Sequence, residues 1–237
     1  VFDIGANLGY YAIMEHRIIG PTGKMVVIEP SPRNRAILKL NLEMNGYHHV
    51  PMLPCAVSDQ CSQRSFYLAA ETNLNTFHPT GSATTHLTGQ VIEVETTTVP
   101  IVAQQYGAPD LIRMDVEGHE VEVLRGLLPA VQDGSMKPMI LFETHLSRYT
   151  PDHDLAPVLR ELFRCGYRVT MAASSGESGT AKVESLGYRG SAPFETDFMY
   201  RVLFGEFRND DAEELICRSG GLRTVLLSCT DPDQTTV

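Results

Sequence analysis

The chain has 237 residues, 43% of them hydrophobic and 20% charged, and it carries a formal net charge of −10. This composition predicts one globular domain spanning 1–237, and the lack of any Lys/Arg cluster excludes nucleic acid as the main partner. No apolar run approaches the ~18 residues of a membrane span. Five cysteines without a C-x-x-C pair indicate neither a disulfide framework nor a zinc site. We expect a cytoplasmic fragment whose natural N-terminus, with any targeting signal, precedes Val1.

Short apolar runs alternate with helical patterns along the chain, as a parallel α/β sheet requires. The predicted buried strands are 1–4, 25–29, 50–57, 111–115, 139–144 and 167–172, followed by a late strand at 198–204. The predicted helices are 10–19, 33–45, 119–128 and 155–165. Three segments depart from this rhythm and are predicted as an insertion with a lid function (60–98), a mobile loop (173–190) and a C-terminal extension (205–237).

The first strand leads through a turn punctuated by glycines into the first helix, and the turn reads Gly5-Ala6-Asn7-Leu8-Gly9. A P-loop needs a lysine that this turn lacks, and a dinucleotide-binding turn needs glycine where Asn7 stands. Together with Asp3 the spacing is D-x-G-x-N-x-G, a variant of the turn that binds S-adenosylmethionine (SAM). The helix start offers free N–H groups to the SAM carboxylate, and Asp3 is placed to take the ammonium group directly or through water.

The ends of the next two strands supply further candidate cofactor ligands. Glu29 ends the second strand, where an acidic residue accepts both ribose hydroxyls of a bound nucleoside. At the end of the third strand, Ala56 and Val57 would flank an adenine, and Ser58 or Asp59 would bond its amino group.

The fourth and fifth strands end in the residues that we expect on the acceptor side of the site. Asp115 and Glu117 follow the fourth strand, and Glu143 and His145 follow the fifth, so all four are predicted to line one pocket. If the methyl acceptor is a hydroxyl, a base must take its proton, and either His145 or Asp115 is suitably placed. Asp115, Glu143 and His145 also carry donors for a divalent cation, but their spacing is not diagnostic, so no metal ligand is assigned.

Five motifs in order resemble the FkbM-type methyltransferases, a branch of the class I SAM-dependent enzymes. They are VFDIGANLGYYA, IEPSPRNRAILKLNLEMNG, AVSD, DLIRMDVEGHEVEVLRGL and ILFETH, and they span residues 1 to about 145. The resemblance implies a Rossmann-like three-layer α/β/α fold, with a seven-stranded, mostly parallel sheet whose last strand is reversed. It also implies O-methylation of a hydroxyl on a sugar, glycan or small-molecule natural product.

Carried over by motif, the resemblance assigns two groups of residues. The SAM-binding group is Asp3, Gly5, Asn7, Gly9 and Glu29, and the group lining the acceptor side is Asp115, Glu117, Glu143 and His145. His119 stands where the family more often has a small residue, and the resemblance fades beyond Leu146. The acceptor, the oligomeric state and the pathway are therefore left open.

Two other functions remain open from the sequence. The first is an NAD-dependent oxidoreductase on a Rossmann sheet, which Asn7 in the glycine turn disfavours. The second is a non-catalytic binding module that keeps the methyltransferase fold, which the intact motif residues disfavour.

Overall fold

The computed structural model describes residues 1–80, 84–196 and 198–229. The strands are β1 Phe2–Ile4, β2 Val26–Ile28, β3 Met52–Leu53, β4 Ala56–Val57, β5 Ser62–Ala69, β6 Leu87–Thr97, β7 Leu111–Met114, β8 Met139–Glu143, β9 Tyr167–Ser174, β10 Phe194–Thr196, β11 Met199–Arg201, β12 Leu203–Phe204 and β13 Leu222–Cys229. The helices are α1 Tyr10–Ile19, α2 Pro32–Met44, α3 Val99–Tyr106, α4 Glu120–Gln132, α5 Ala156–Arg164, α6 Glu177–Ser185 and α7 Asn209–Glu213.

The central sheet has the strand order β12-β9-β13-β8-β7-β1-β2-β3. Neighbours from β3 to β8 pair in parallel, whereas β13 runs antiparallel between β8 and β9. The predicted seven-stranded sheet with one reversed strand is therefore confirmed. The two-residue strand β12 pairs antiparallel with β9 and adds an eighth strand at the edge.

Helices cover both faces of this sheet because successive strand side chains point to opposite faces. On one face, Val27 packs with Leu38 and Leu42 of α2. On the other face, Val26 and Ile28 belong to the larger core, which includes buried residues of α3, α4 and α5. Within the described residues, none of the helices combines the length and the apolar composition required to span a membrane.

The third predicted strand is wrong as a single element. Met52–Leu53 joins β2 in the central sheet, but Ala56–Val57 leaves that sheet and pairs with β6. The segment 60–98 forms the long antiparallel hairpin β5–β6, which with β4 makes a separate three-stranded sheet. The lid function of this segment remains a prediction.

The predictions for the last third of the chain need three corrections. The late strand 198–204 is divided between the β10–β11 hairpin and the edge strand β12. The segment 173–190, predicted as a loop, contains α6. Part of 205–237 is not an extension, because β13 lies inside the central sheet with Val225 and Leu227 fully buried.

Candidate active site

Two adjoining cavities lie at the carboxyl ends of the parallel strands β1, β2 and β7. The first is a narrow slot whose walls include Glu29, Val57 and Phe77. The second is wider, about 650 Å³, within the ~300–1,000 Å³ typical of ligand pockets. The residues that line both cavities are Gly5, Asn7, Asn73, Asp115 and Glu117. These shared residues mark the junction of the two cavities.

The turn between β1 and α1 has a left-handed backbone at three positions. The φ angles of Gly5, Asn7 and Gly9 are +78°, +49° and +88°. A Cβ on Gly5 would lie 2.3 Å from the backbone oxygen of Asp115, so the turn presses directly against the end of β7. None of the described side chains caps the N-terminus of α1. The first amides of this helix are therefore left to satisfy a ligand, as they do at anion-binding helix starts.

Glu29 has a buried carboxylate that the surrounding backbone holds in place. Its Oε2 accepts from the Asn7 N–H at 2.9 Å, and its Oε1 accepts from Ser31 N–H at 2.9 Å and Asn34 Nδ2 at 3.2 Å. Burial raises the pKa of Glu29, and the Ser31 and Asn7 N–H groups oppose this rise. Three donors leave about one of the four lone-pair positions of a carboxylate. The carboxylate can thus accept a hydrogen bond from one ribose hydroxyl. To accept from both hydroxyls, as predicted, it would have to give up one of its three present donors.

Asp3 lies beneath the cavities and not on their walls. It is fully buried, and its Oδ1 accepts from Arg113 Nη1 at 3.2 Å. Arg113 Nη2 reaches Asp115 Oδ2 at 3.4 Å, so one guanidinium joins the ends of β1 and β7. Burial raises the pKa of Asp3, and Arg113 opposes this rise. This position does not offer Asp3 a direct contact with a ligand's ammonium group.

Ser58 and Asp59, predicted to bond adenine, are absent from the walls of both cavities. Ser58 is fully buried and donates to Asp59 Oδ1 at 3.1 Å, while its hydroxyl lies 3.0 Å from His119 Nε2. Asp59 pairs with Arg64 at 3.0 Å. The pairing of β4 with β6 draws this segment toward the hairpin. Ala56 and Val57 do line the first cavity, as predicted.

His145 is buried behind the junction of the cavities, beside the carboxylates of Asp115 and Glu117, and is absent from the walls of both cavities, where it was predicted to lie. Its Nε2 lies 3.7 Å from Asp115 Oδ1 and 3.5 Å from Glu117 Oε1, and its Nδ1 lies 2.8 Å from Glu120 Oε1. Burial opposes a charge on this ring, but Glu120 and Glu117 outweigh burial and raise the pKa of His145 well above its usual value. The surrounding carboxylates thus favour the charged form of His145, which has no lone pair with which to accept a proton.

The environments of Asp115 and Glu117 push the pKa values of these two carboxylates in opposite directions. Burial raises the pKa of Asp115, with Arg113 and His145 opposing. Burial also favours protonated Glu117, but His145 and Arg148 outweigh it and lower the pKa of Glu117. Arg148 Nη2 donates to Glu117 Oε2 at 3.2 Å, and the left-handed backbone at Glu117 (φ +51°) helps to aim its carboxylate. Asp115 remains the more exposed of the two side chains, at 29% against 11%.

Glu143 lines the second cavity and forms an ion pair with Arg223 of β13. Its carboxylate, Asp115 and His145 bring donor atoms within 4.8 Å of one another. Each carboxylate also pairs with an arginine, Asp115 with Arg113 and Glu143 with Arg223, and no metal ligand is assigned here.

Several residues that line the cavities were not predicted from the sequence. Phe66, Phe77 and the Thr72–Asn75 turn of the hairpin segment line the first cavity. Arg201 and Arg223, from β11 and β13, line the second. They come from the parts of the chain where the strand predictions were wrong or where no element was predicted.

The sheet order with reversed β13, and the acidic residues that follow β1, β2 and β7, define a class I methyltransferase-like α/β protein. The sequence profile of the methyltransferase FkbM domain matches residues 3–169. The chain therefore belongs to the FkbM methyltransferase family, whose members depend on SAM.

Similar solved structures include methyltransferase FkbM from Methylobacillus flagellatus KT, which is 16% identical with a TM-score of 0.45 over 87% of this chain. The match covers 42% of that protein, so this chain spans less than half its length. An O-methyltransferase from Bacillus cereus is 14% identical, with a TM-score of 0.41 over 87% of this chain and 73% of that one. The O-methyltransferase TomG from Streptomyces achromogenes is 12% identical, with a TM-score of 0.41 over 97% and 72%. No curated protein matches the sequence significantly.

Proposed function

We propose that this protein transfers the methyl group of SAM to a hydroxyl of a sugar, glycan or other small polar molecule. The observation that carries the proposal is the placement of Asp115 and Glu117, two neighbouring carboxylates at the junction of the cavities, where Arg148 holds Glu117 and Asp115 is the more exposed. Two carboxylates in unlike environments are how active sites separate a proton acceptor from a permanently charged group.

The first cavity and the β1–α1 turn fit SAM in their chemistry. Glu29 offers one acceptor position to a ribose hydroxyl, and Ile28 and Val57 supply apolar walls for a flat base. The uncapped start of α1 suits the carboxylate of the amino-acid tail. Gly5, Ala6, Asn7 and Gly9 shape the backbone between these groups.

The second cavity fits a polyhydroxylated acceptor. Its walls combine Glu143 and Arg223 with the exposed rings of Tyr10 (69%) and Tyr11 (49%). Charged side chains exchange hydrogen bonds with hydroxyl groups, and tyrosine rings offer apolar faces to the C–H faces of a sugar. A purely apolar acceptor would leave these charged side chains without partners.

Within this proposal Asp115 is the general base, and His145 positions it. The Asp115 carboxylate accepts the hydroxyl proton, since its raised pKa makes it a better base than an ordinary aspartate. Arg113, bonded to Asp115, stabilises the carboxylate in place. His145, whose charged form these carboxylates favour, holds the carboxylates around it in place through charge. SAM, when bound, supplies an electrophilic methyl group, so the protein's main task is to hold the acceptor oxygen in line with it.

The proposal is tested by incubating the protein with isotopically methyl-labelled SAM and panels of sugars, glycans and small hydroxyl compounds. We expect label in methyl ethers, identified by mass spectrometry, and an activity lower by ~10²–10⁴-fold in Asp115→Asn. Asp110→Asn, an exposed aspartate at the other end of β7, is the matched control and should retain activity.

Each alternative has its own outcome in the same experiments. SAM affinity with no transfer to any acceptor would favour a non-catalytic module. Label recovered on nitrogen or carbon would refute the choice of a hydroxyl. Full activity in Asp115→Asn would remove this residue from the base role.

The positioning role of His145 has a separate test. His145→Gln keeps a hydrogen-bonding side chain but removes the positive charge next to Asp115. We expect unchanged SAM affinity, a lower kcat, and a shift of the pH–rate profile to higher pH, because Asp115 loses a charge that lowers its pKa. A lower kcat with an unshifted profile would contradict the electrostatic role.

A further inference from the structure

A cluster of three histidines and one glutamate lies beside the candidate active site. We call His78, His119, Glu122 and His153 the histidine cluster. Its members come from three segments: the turn after the 72–74 helical turn, the start of α4, and the loop before α5. His119 also lines the first cavity, whereas the other three are absent from the walls of both cavities.

The donor atoms of the cluster are spaced as ligands around one small ion. Glu122 Oε2 lies 3.6 Å from His78 Nε2 and 3.2 Å from His119 Nδ1, and these two nitrogens are 3.1 Å apart. Glu122 Oε1 lies 3.0 Å from His153 Nδ1. Four ligands at ~2.0–2.1 Å in a tetrahedron around zinc are ~3.3 Å from one another. Glu122 Oε2, His78 Nε2 and His119 Nδ1 therefore stand close to three corners of such a tetrahedron, and His153 Nδ1 lies beside the other oxygen of Glu122. Donor atoms of His78, Glu122 and His153 all lie within 4.8 Å of one another.

In His119 and His153, the nitrogen that points away from Glu122 is Nε2, and its hydrogen-bond partner fixes which ring nitrogen carries the hydrogen. His153 Nε2 lies 2.6 Å from the Gly118 carbonyl oxygen, which only accepts, so this nitrogen carries a hydrogen. His119 Nε2 lies 3.0 Å from the Ser58 hydroxyl, whose hydrogen points to Asp59, so this nitrogen also donates. In the neutral rings, the Nδ1 lone pair of His153 then faces Glu122, and that of His119 faces both Glu122 and His78 Nε2. Bonds from the outer nitrogen to a carbonyl or hydroxyl are the usual support of metal-binding histidines.

Glu122 is buried and lacks an ordinary cationic partner. The residue is 7% exposed, and within the part of the chain that the structure describes its Oε2 has no hydrogen-bond partner. Among the described residues, the ion pairs of Glu122 are with histidines alone and include neither Lys nor Arg. Lone pairs that face one another across about 3 Å repel unless a proton or a cation lies between them. A proton on a histidine is one solution, and a metal ion that replaces it is the other.

We propose that the histidine cluster binds a divalent transition-metal ion of the zinc type. Three imidazoles and one carboxylate are a donor set that suits zinc, whereas calcium and magnesium prefer all-oxygen sites. The rings of His78 and His153 stack with centroids 4.0 Å apart, so one ring must tilt out of the stack to share the ion.

A bound ion would join three segments that shape the candidate active site. Thr76, two residues before His78, donates to the Glu117 backbone oxygen at 2.9 Å. Phe77 packs against the His119 ring, with centroids 4.4 Å apart. The ion would therefore fix the hairpin turn and the Glu117 loop against α4. This role is structural and is independent of the identity of the methyl acceptor.

The experiment uses the whole chain after treatment with a chelator, and titrates it with Zn²⁺ against a chromogenic competitor. We expect about one ion per chain, a higher thermal midpoint with Zn²⁺, and a tetrahedral absorption spectrum with Co²⁺. Glu122→Gln and His78→Gln should each weaken binding by more than ~10-fold. His86→Gln, an exposed histidine on the same hairpin that pairs with Glu71, is the matched control and should bind as the wild type does.

His78→Gln keeps the test valid if Glu122→Gln does not fold, because the His78 side chain is 20% exposed and lies on a turn. Circular dichroism and SAM affinity check the fold of each variant. The absence of stoichiometric binding in the wild type would refute the site. Equal binding by wild type, His78→Gln and Glu122→Gln would place the ion elsewhere and refute it as well.

Discussion

Replacing Gly5 by alanine tests whether the cofactor turn is held by backbone contact with β7. The φ of +78° places alanine in the left-handed region, which costs ~1–2 kcal/mol for a residue with a Cβ. The new methyl group would also lie 2.3 Å from the Asp115 backbone oxygen and 3.2 Å from a Val116 side-chain carbon. Because optimal contacts are ~3.5–4.0 Å, the turn and the end of β7 must move apart by about 1 Å.

Such overpacking typically costs a further ~1–3 kcal/mol, so Gly5→Ala should lower the free energy of unfolding by about 2–5 kcal/mol. Gly46→Ala isolates the backbone contribution. Gly46 has a φ of +81°, but a methyl group added there would meet no other side chain or backbone atom within 4 Å. Gly46→Ala should therefore lower the free energy of unfolding by only ~1–2 kcal/mol, the cost of the left-handed conformation.

Urea unfolding followed by circular dichroism measures both variants under the same conditions. In folded Gly5→Ala we also expect slower methyl transfer, because the end of β7 carries Asp115. Equal losses of stability in the two variants would show that the contact with Asp115 is not restrictive and would refute the reasoning.

Three further predictions concern the cofactor ligand, the pH dependence of stability, and β13. Glu29→Gln should raise the Kd for SAM ~10–100-fold in calorimetry through loss of charge-assisted bonds, whereas the exposed Glu43→Gln should leave it unchanged. Burial and a neighbouring aspartate raise the pKa of Glu15 from 4.5 to about 8, so its contribution to stability is present below pH 4.5 and is lost as the pH rises to 8. Glu15→Gln should therefore gain thermal stability over the wild type as the pH rises through this window, and a gain independent of pH would contradict the assignment. Leu227→Ala should lower the free energy of unfolding by ~2–5 kcal/mol, and Leu186→Ala, at a side chain that is 40% exposed, should lower it much less. Equal losses in urea unfolding would mean that β13 is not part of the stable sheet.

The convergence of Asp115, Glu117 and His145 could be predicted from the sequence. Each follows a short apolar run, and the carboxyl ends of parallel strands meet at one edge of the sheet. The charge-favouring environment of His145 could not be predicted, because it depends on Glu120, whose carboxylate turns inward from the first turn of α4. A glutamate in the first turn of a helix is ordinarily explained by the helix dipole alone.

Errors in the prediction come from pairings between distant parts of the chain. Ala56–Val57 reads as the continuation of one strand, but pairing with β6 moves Ser58 and Asp59 away from the cofactor side. The run at 222–229 is apolar enough for a strand, yet its place between β8 and β9 depends on partners far away in sequence. The histidine cluster has the same origin, since residues 78, 119, 122 and 153 show no ligand spacing along the chain.

The central position of β13 has a consequence for synthesis on the ribosome. Until residue 229 has left the exit tunnel, β8 and β9 have no strand between them, and each exposes an unpaired edge. Nascent chains that stall between residues 174 and 222 should therefore be prone to aggregation or to capture by chaperones. Completion of the sheet is expected to be a late, cooperative event, set by long-range pairing more than by the early β1–α1–β2 unit.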